Sequence, residues 1–194
     1  MEAIAQTIDR FNNSIGSIVA WLALPMVLVQ FLVVITRYVF GYNSIWLQES
    51  VLYFHAFSFM LGAAAVLLRG GHVRVDIFYA DMSNRGKAKA DLFGVLVFLI
   101  PVCVLIIKVS IPTMLASWRV FEGSGETSGI RGVYLLKSLP VAMASLLLLQ
   151  GISMGLRAVL VLMGRLDTHI VEALQRDPDL PSDGADGNTG QGGA

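Results

Sequence analysis

Glu49, His55, His72 and Asp76, with Arg37, Arg69 and Arg74 around them, are the residues of this chain whose types could do chemistry. Imidazole and carboxylate serve as general acids, general bases and metal ligands. Four of these residues, Arg69, His72, Arg74 and Asp76, crowd into "LLRGGHVRVDIF", residues 67–78. The stretch is not a phosphate loop, because it lacks the wide glycine spacing and the Lys-Ser/Thr pair that hold phosphates and magnesium. His72 four residues before Asp76 is a poor metal site on its own. Local chemistry favours a charged turn. Gly70 and Gly71 free the backbone to bend sharply, and Val73, Val75 and Ile77 alternate with His72, Arg74 and Asp76, so a short extended piece can lay its apolar side on neighbouring helices. His55 lies inside an apolar stretch and is expected to donate a hydrogen bond to an adjacent helix. A bis-histidine haem would need a second inward histidine at matching depth, and His72 and His169 fall in a loop and a tail. Cys103 has no second thiol for a disulfide, zinc or iron–sulfur site. No catalytic residue, cofactor-binding residue or metal ligand is therefore assigned, and the chain is not read as an enzyme.

Composition says what must position these residues. Of the 194 residues 55% are hydrophobic and only 14% charged, far too apolar for a water-soluble domain. Basic and acidic residues balance, so no overall field points to nucleic acid. A bilayer core needs about 20 apolar residues of helix. Four stretches supply them, at 15–36, 50–68, 92–111 and 138–156; with their flanks the predicted spans are 15–37, 48–68, 90–113 and 136–163. The fold class is an all-α integral membrane protein with a four-helix transmembrane domain over 15–164. Lys108 and Arg157 near span ends are expected to snorkel to the interface. No internal repeat is evident, so an inverted-repeat carrier within this chain has no support.

Charge sets the expected orientation. Arg69, Arg74, Arg85, Lys87 and Lys89 lie between the second and third spans, on the same side as Arg10 and Arg165, against Arg119, Arg131 and Lys137 in the third connection. The positive-inside rule puts both termini and the middle loop in the cytoplasm. Trp46, Trp118 and Tyr134 stand at outward span ends, where amphipathic rings favour the headgroup region. Residues 1–14 are expected to form an amphipathic cytoplasmic lead: Ile4, Ile8 and Phe11, with Ile15 just beyond it, recur at helical spacing, suited to lying on the membrane surface. The apolar run after Arg10 is too long for a signal peptide and is expected to be retained, with the mature chain starting near Met1. Residues 165–194 form a cytoplasmic tail, mostly disordered after 176, where few side chains could be buried.

Several residues suggest contact surfaces. Arg37 and Glu49 end consecutive spans across a short connection, where an ion pair would help fix the hairpin. "FEGSGETSG", residues 121–129, reads as a flexible exposed loop whose Glu122 and Glu126 could face a partner outside the membrane. Ser58 with Gly62, and Gly151 with Gly155, are small residues four apart that allow close helix approach. Packing within the chain is their expected use, and docking on another membrane protein the alternative.

Taken together, "RYVFGYNSIWLQE" after the first span and "RGGHVRVDIF" after the second resemble the small membrane subunit (Q-type small permease, DctQ-like) of tripartite ATP-independent periplasmic (TRAP) transporters. The resemblance covers roughly 14–164 and rests on Arg37, Tyr38, Phe40, Trp46, Glu49, Gly62, Arg69, Gly70, His72, Val75 and Asp76. "EGSGETSGIRGVYLLKSLPVAMASLLLLQGIS", from Glu122, is similar to a branch with a glycine-rich outer loop. Where the family often has two adjacent acids after the tryptophan, this chain has Gln48 before Glu49. The resemblance implies a sodium-driven uptake system for an organic acid in a prokaryotic inner membrane. Its partners would be a large permease subunit, which carries the transport path and sodium sites, and a periplasmic solute-binding protein. Arg37, Trp46, Glu49, Ser58, Gly62, Arg69, Gly70, His72, Asp76, Gly151 and Gly155 would then be structural or interface residues, and Trp46, Glu49, Glu122 and Glu126 would help dock the binding protein. The competing readings are a cytochrome b-like membrane anchor using His55 and, more weakly, a stand-alone channel or carrier.

Overall fold

The computed structural model describes residues 2–69 and 83–164. The described residues contain helices and connections but no strand. The helices are α1 (Glu2–Ala20), α2 (Ala23–Tyr38), α3 (Ile45–Leu68), α4 (Asn84–Phe93), a π-helical segment (Gly94–Leu99), α5 (Ile100–Arg119) and α6 (Val133–Leu162). They make four runs long and apolar enough to cross a membrane: Ile4–Tyr38, Ile45–Leu68, Arg85–Arg119 and Val133–Leu162. The first and third runs begin well before the predicted spans. Gly70, His72, Asp76 and the tail from 165 onward lie outside the described residues.

Sequence explains most of the boundaries. Helix α2 is followed by Gly41 at φ +64°, a left-handed conformation that glycine adopts without a Cβ clash. Tyr42 N donates to Thr36 O at 2.9 Å there, turning the chain towards α3. Ser83 caps α4, its side chain accepting from Gly86 N at 3.3 Å. Pro112 and Pro140 stand inside α5 and α6, as prolines do in membrane helices more often than in soluble ones. The first run is interrupted at Trp21–Leu22, where Pro25 has no N–H to donate to the Trp21 carbonyl, and the third passes through the π segment.

The exposed surface is that of a protein surrounded by something other than water. Helix α2 has no buried residue, and Leu24, Val27, Leu28 and Phe31 are each 60–64% exposed. In water such a face would aggregate; in a bilayer it is solvated by acyl chains. Thr36, Ser50, Ser138 and Ser145 donate to carbonyls of their own helices, at 2.8–3.0 Å, so these four hydroxyls need no partner from lipid.

The chain divides into two compact units, one of Met1–Asn13, Ala65–Pro101 and Leu148–Ala194, the other of Ser14–Ala64 and Val102–Leu147. In the first unit Ala88, Ala158 and Val161 form a small apolar core with Leu92 and Leu162 against it. Gly151 and Gly155 of α6 face the third run in this unit. A Cβ on Gly151 would fall on Leu99 Cδ2, whereas one on Gly155 would meet Val95 and Leu92 at 3.9 and 4.0 Å. The close fit is at Gly151.

Candidate functional site

In the second unit the connection between α5 and α6 is built around one carboxylate. Glu49 stands in the first turns of α3, where its Oε2 accepts from Ile130 N at 2.5 Å and its Oε1 from the Ser124 hydroxyl. Ser124 N donates in turn to Ile130 O at 3.2 Å, closing the loop on itself. Gly129 fits beside this clamp because it has no side chain: a Cβ there would overlap Ser124 and come within 2.7 Å of Glu49 Oε1. The loop predicted to be flexible is therefore tied at its base, and Gly125–Ser128 are left exposed at its tip. Glu126 is on that tip.

The base of the loop has further anchors. Glu122 pairs with Lys137 of α6, and the hydrogen bond from that ammonium holds the Glu122 carboxyl below its ordinary value. Trp118 and Tyr134 meet edge to face at 4.7 Å, with Phe121 against Tyr134 at 5.8 Å. Trp118 Nε1 donates to Ser138 Oγ at 2.8 Å. Phe121 adopts φ +45° to enter this cluster, a left-handed conformation unfavourable for a residue with a Cβ. The expected Arg37–Glu49 pair is not formed. Both Glu49 oxygens are taken by the loop, and Arg37 lies over the Tyr38 ring at 5.9 Å. Gln48 donates to Asn43. Trp46 is exposed in the first turn of α3.

The first unit holds a polar network that sequence reasoning missed. Asp9 of α1 is fully buried. Its Oδ1 accepts from Gln150 Nε2 at 2.9 Å and Ser153 Oγ at 2.7 Å, and its Oδ2 pairs with Arg157. Asn12 Nδ2 donates to Gln150 Oε1 at 2.8 Å. Arg157 is 5% exposed, so it does not snorkel as expected; it is neutralised inside the protein by Asp9. Ile4 and Phe11, from the apolar repeat of the lead, are exposed, and it is the polar side of α1 that packs on α6. A usable signal existed: Asp9 and Asn12 are three apart, and Gln150, Ser153 and Arg157 follow at three and four, so each set shares one helix face. At the end of α3, Arg69 donates to Asn13 Oδ1 at 2.9 Å.

Neither arrangement has the geometry of a catalytic centre. The Glu49 carboxylate spends its lone pairs on loop donors, and the Asp9 carboxylate is saturated and shielded. Among the described residues no three of His, Cys, Asp and Glu converge to hold a metal ion. His55 is exposed and stacks on Phe59, ring centroids 6.1 Å apart, and the bond expected to a neighbouring helix is not made among the described residues. Gly62 on the same helix has nothing within 4 Å of where a Cβ would stand. Unlike Gly151, it is not used for close packing among the described residues.

The model of the family described as "Tripartite ATP-independent periplasmic transporters, DctQ component" matches residues 26–161. No curated protein matches. No solved structure matches either.

Proposed function

Since the chain belongs to the DctQ component family of tripartite ATP-independent periplasmic transporters, we propose that it is the fixed membrane scaffold for the large permease subunit of a sodium-driven uptake system for an organic acid. The family is one of transporter components rather than enzymes. The match over 26–161, which takes in the end of the first membrane-crossing run and nearly all of the other three, carries this reading. Transport itself needs ionisable groups or unwound helices lining a path through the membrane. In this chain the buried charges of the runs are tied to each other, which suits a stationary element. The solute path and the sodium sites would belong to the large subunit, so no cofactor is assigned to this chain.

In this reading the protein is a multi-pass component of a prokaryotic inner membrane, with both termini cytoplasmic and the Glu49-clamped loop facing the periplasm. Trp46 and Glu126 would then offer contacts to the periplasmic solute-binding protein, while Glu49 and Glu122 would hold the loop that presents them. The family match does not favour the cytochrome b-like alternative. Deleting the chain in cells and measuring solute uptake with large-subunit abundance tests the proposal. Uptake is expected to fall to background with loss of large-subunit stability; normal uptake with a stable large subunit would overturn it.

A further inference from the structure

The third membrane-crossing run changes character along its length. Arg85, Lys87, Lys89 and Asp91 lie on α4, and no charged residue follows until Lys108. The change from water to hydrocarbon therefore falls near Phe93, because charge is costly below the headgroups. Ala88 is buried with Ala158 and Val161 of α6, and Leu92 packs against them. Arg85, Lys89 and Phe93 follow one another at steps of four, so they share a stripe beside that core. All three are exposed. Neither cation has an acid partner among the described residues.

The π segment extends the stripe. Phe98 stands five residues beyond Phe93, which in an α-helix would set it about 140° round the axis. A π turn, bonded from i to i+5, brings such a pair back over one another. The bond from Ile100 N to Val95 O has this spacing, and the Phe93 and Phe98 rings meet edge to face at 6.1 Å. Both rings are exposed, by 60% and 63%. From the α4 end the stripe thus runs cation, cation, aromatic, aromatic. Arg85 and Lys89 are about 6 Å apart along the axis, close enough for one phosphate to accept from both. This order is the complement of an anionic phospholipid, whose charged headgroup and acyl chains come in the same sequence along the same direction. A zwitterionic lipid offers the same chains but carries its own ammonium beside the phosphate. A second copy of this chain would bring two more cations to the face.

We propose that this stripe holds an anionic phospholipid, its phosphate between Arg85 and Lys89 and its chains along Phe93 and Phe98. The proposal concerns α4 and the π segment alone and stands whether or not the scaffold reading does. In the full chain reconstituted in vesicles, Phe98→Trp places a fluorophore on the stripe, and the wild-type signal of Trp21, Trp46 and Trp118 is subtracted. Brominated phosphatidylglycerol, which carries net charge, is compared as quencher with brominated phosphatidylcholine, which does not. Phosphatidylglycerol is expected to be preferred at this position by about threefold or more. Arg85→Gln with Lys89→Gln is expected to bring the two lipids to parity. The exchange Arg85→Lys with Lys89→Arg should keep the preference, as should Lys87→Gln, which removes a cation that lies off the stripe. Equal quenching by the two lipids with Arg85 and Lys89 intact would overturn the proposal, since the cations would then be matched elsewhere. Quenching by neither would overturn it as well, because protein would then cover the stripe. A preference that survives the double glutamine change, or that Lys87→Gln abolishes as fully, would reduce the effect to general attraction of charge and sink the assignment. The lipid comparison is made with both cations present, so a folding defect in the glutamine variant cannot decide the result.

Discussion

Asp9 and Glu49 are both carboxylates that join a helix to a distant part of the chain, and they are held in opposite ways. Asp9 is enclosed in helix packing and faces a full positive charge on Arg157, with two neutral donors completing its shell. Glu49 is partly exposed and is met by a hydroxyl and a backbone N–H, with no cation on it among the described residues. The difference follows from surroundings. Between membrane helices an unpaired carboxylate would lose its hydration with nothing in return, so it requires a counter-charge. At a loop, where water is near, neutral donors suffice, and the carboxylate can be used to choose a loop conformation.

The largest effect should come from breaking the buried pair. Asp9→Ala or Arg157→Ala leaves one charge stranded and is expected to destabilise the protein by about 3–5 kcal/mol, whereas the double change Asp9→Leu with Arg157→Met costs far less than either. Thermal unfolding and monodispersity in detergent measure this; singles as stable as wild type would mean the pair is hydrated. Next is Glu49→Ala, which strands the Ile130 N–H and frees the Ser124 hydroxyl, at about 1–3 kcal/mol. Its signature should be local: faster hydrogen exchange at the Ile130 amide and proteolysis within 123–129, with the α1–α6 contact undisturbed. Gly129→Ala is expected to give the same signature, because its Cβ displaces the same two side chains.

Within the first unit, the two glycines of α6 differ in how closely they are packed. Gly151→Ala pushes a methyl onto Leu99 and is expected to cost about 1–3 kcal/mol unless Leu99 turns aside. Gly155→Ala finds ordinary contact distances and should stay within roughly 0.5 kcal/mol. Equal effects would show that the pair acts as a motif and not through one close fit. The smallest change belongs to the exposed Glu122–Lys137 pair. Because Glu122 titrates below its ordinary value when folded, the pair's contribution is present above the ordinary carboxylate range and is lost as pH falls through the lower folded value. Lys137→Gln should move the Glu122 titration upward in a carboxyl-carbon NMR experiment, and high salt should narrow the gap between variant and wild type.

Helix positions were legible before any coordinates, because lipid imposes a minimum apolar length that leaves a strong trace in sequence. Arg37, Trp46, Arg69 and the Gly151–Gly155 pair were also singled out from sequence, yet the partners assigned to them were partly wrong. The Arg37–Glu49 pairing was inferred from nearness along the chain. Glu49 instead closes on Ser124 and Ile130, some eighty residues away, because a loop with its own N–H groups to satisfy lies beside it. Arg157 was read from its position near a span end, while the residue that decides its fate is Asp9, 148 positions earlier.

The sequence by itself determined the family, the all-helical class and the four membrane-crossing runs, since each depends on local composition or on short motifs in a fixed order. Only the tertiary structure decided which polar groups meet: that Asp9 neutralises Arg157, that Glu49 shapes the α5–α6 loop, that Gly151 is filled while Gly62 is open, and that His55 is exposed beside Phe59. These outcomes rest on which helix faces come together. Helical periodicity says which residues share a face; it does not say what stands opposite it.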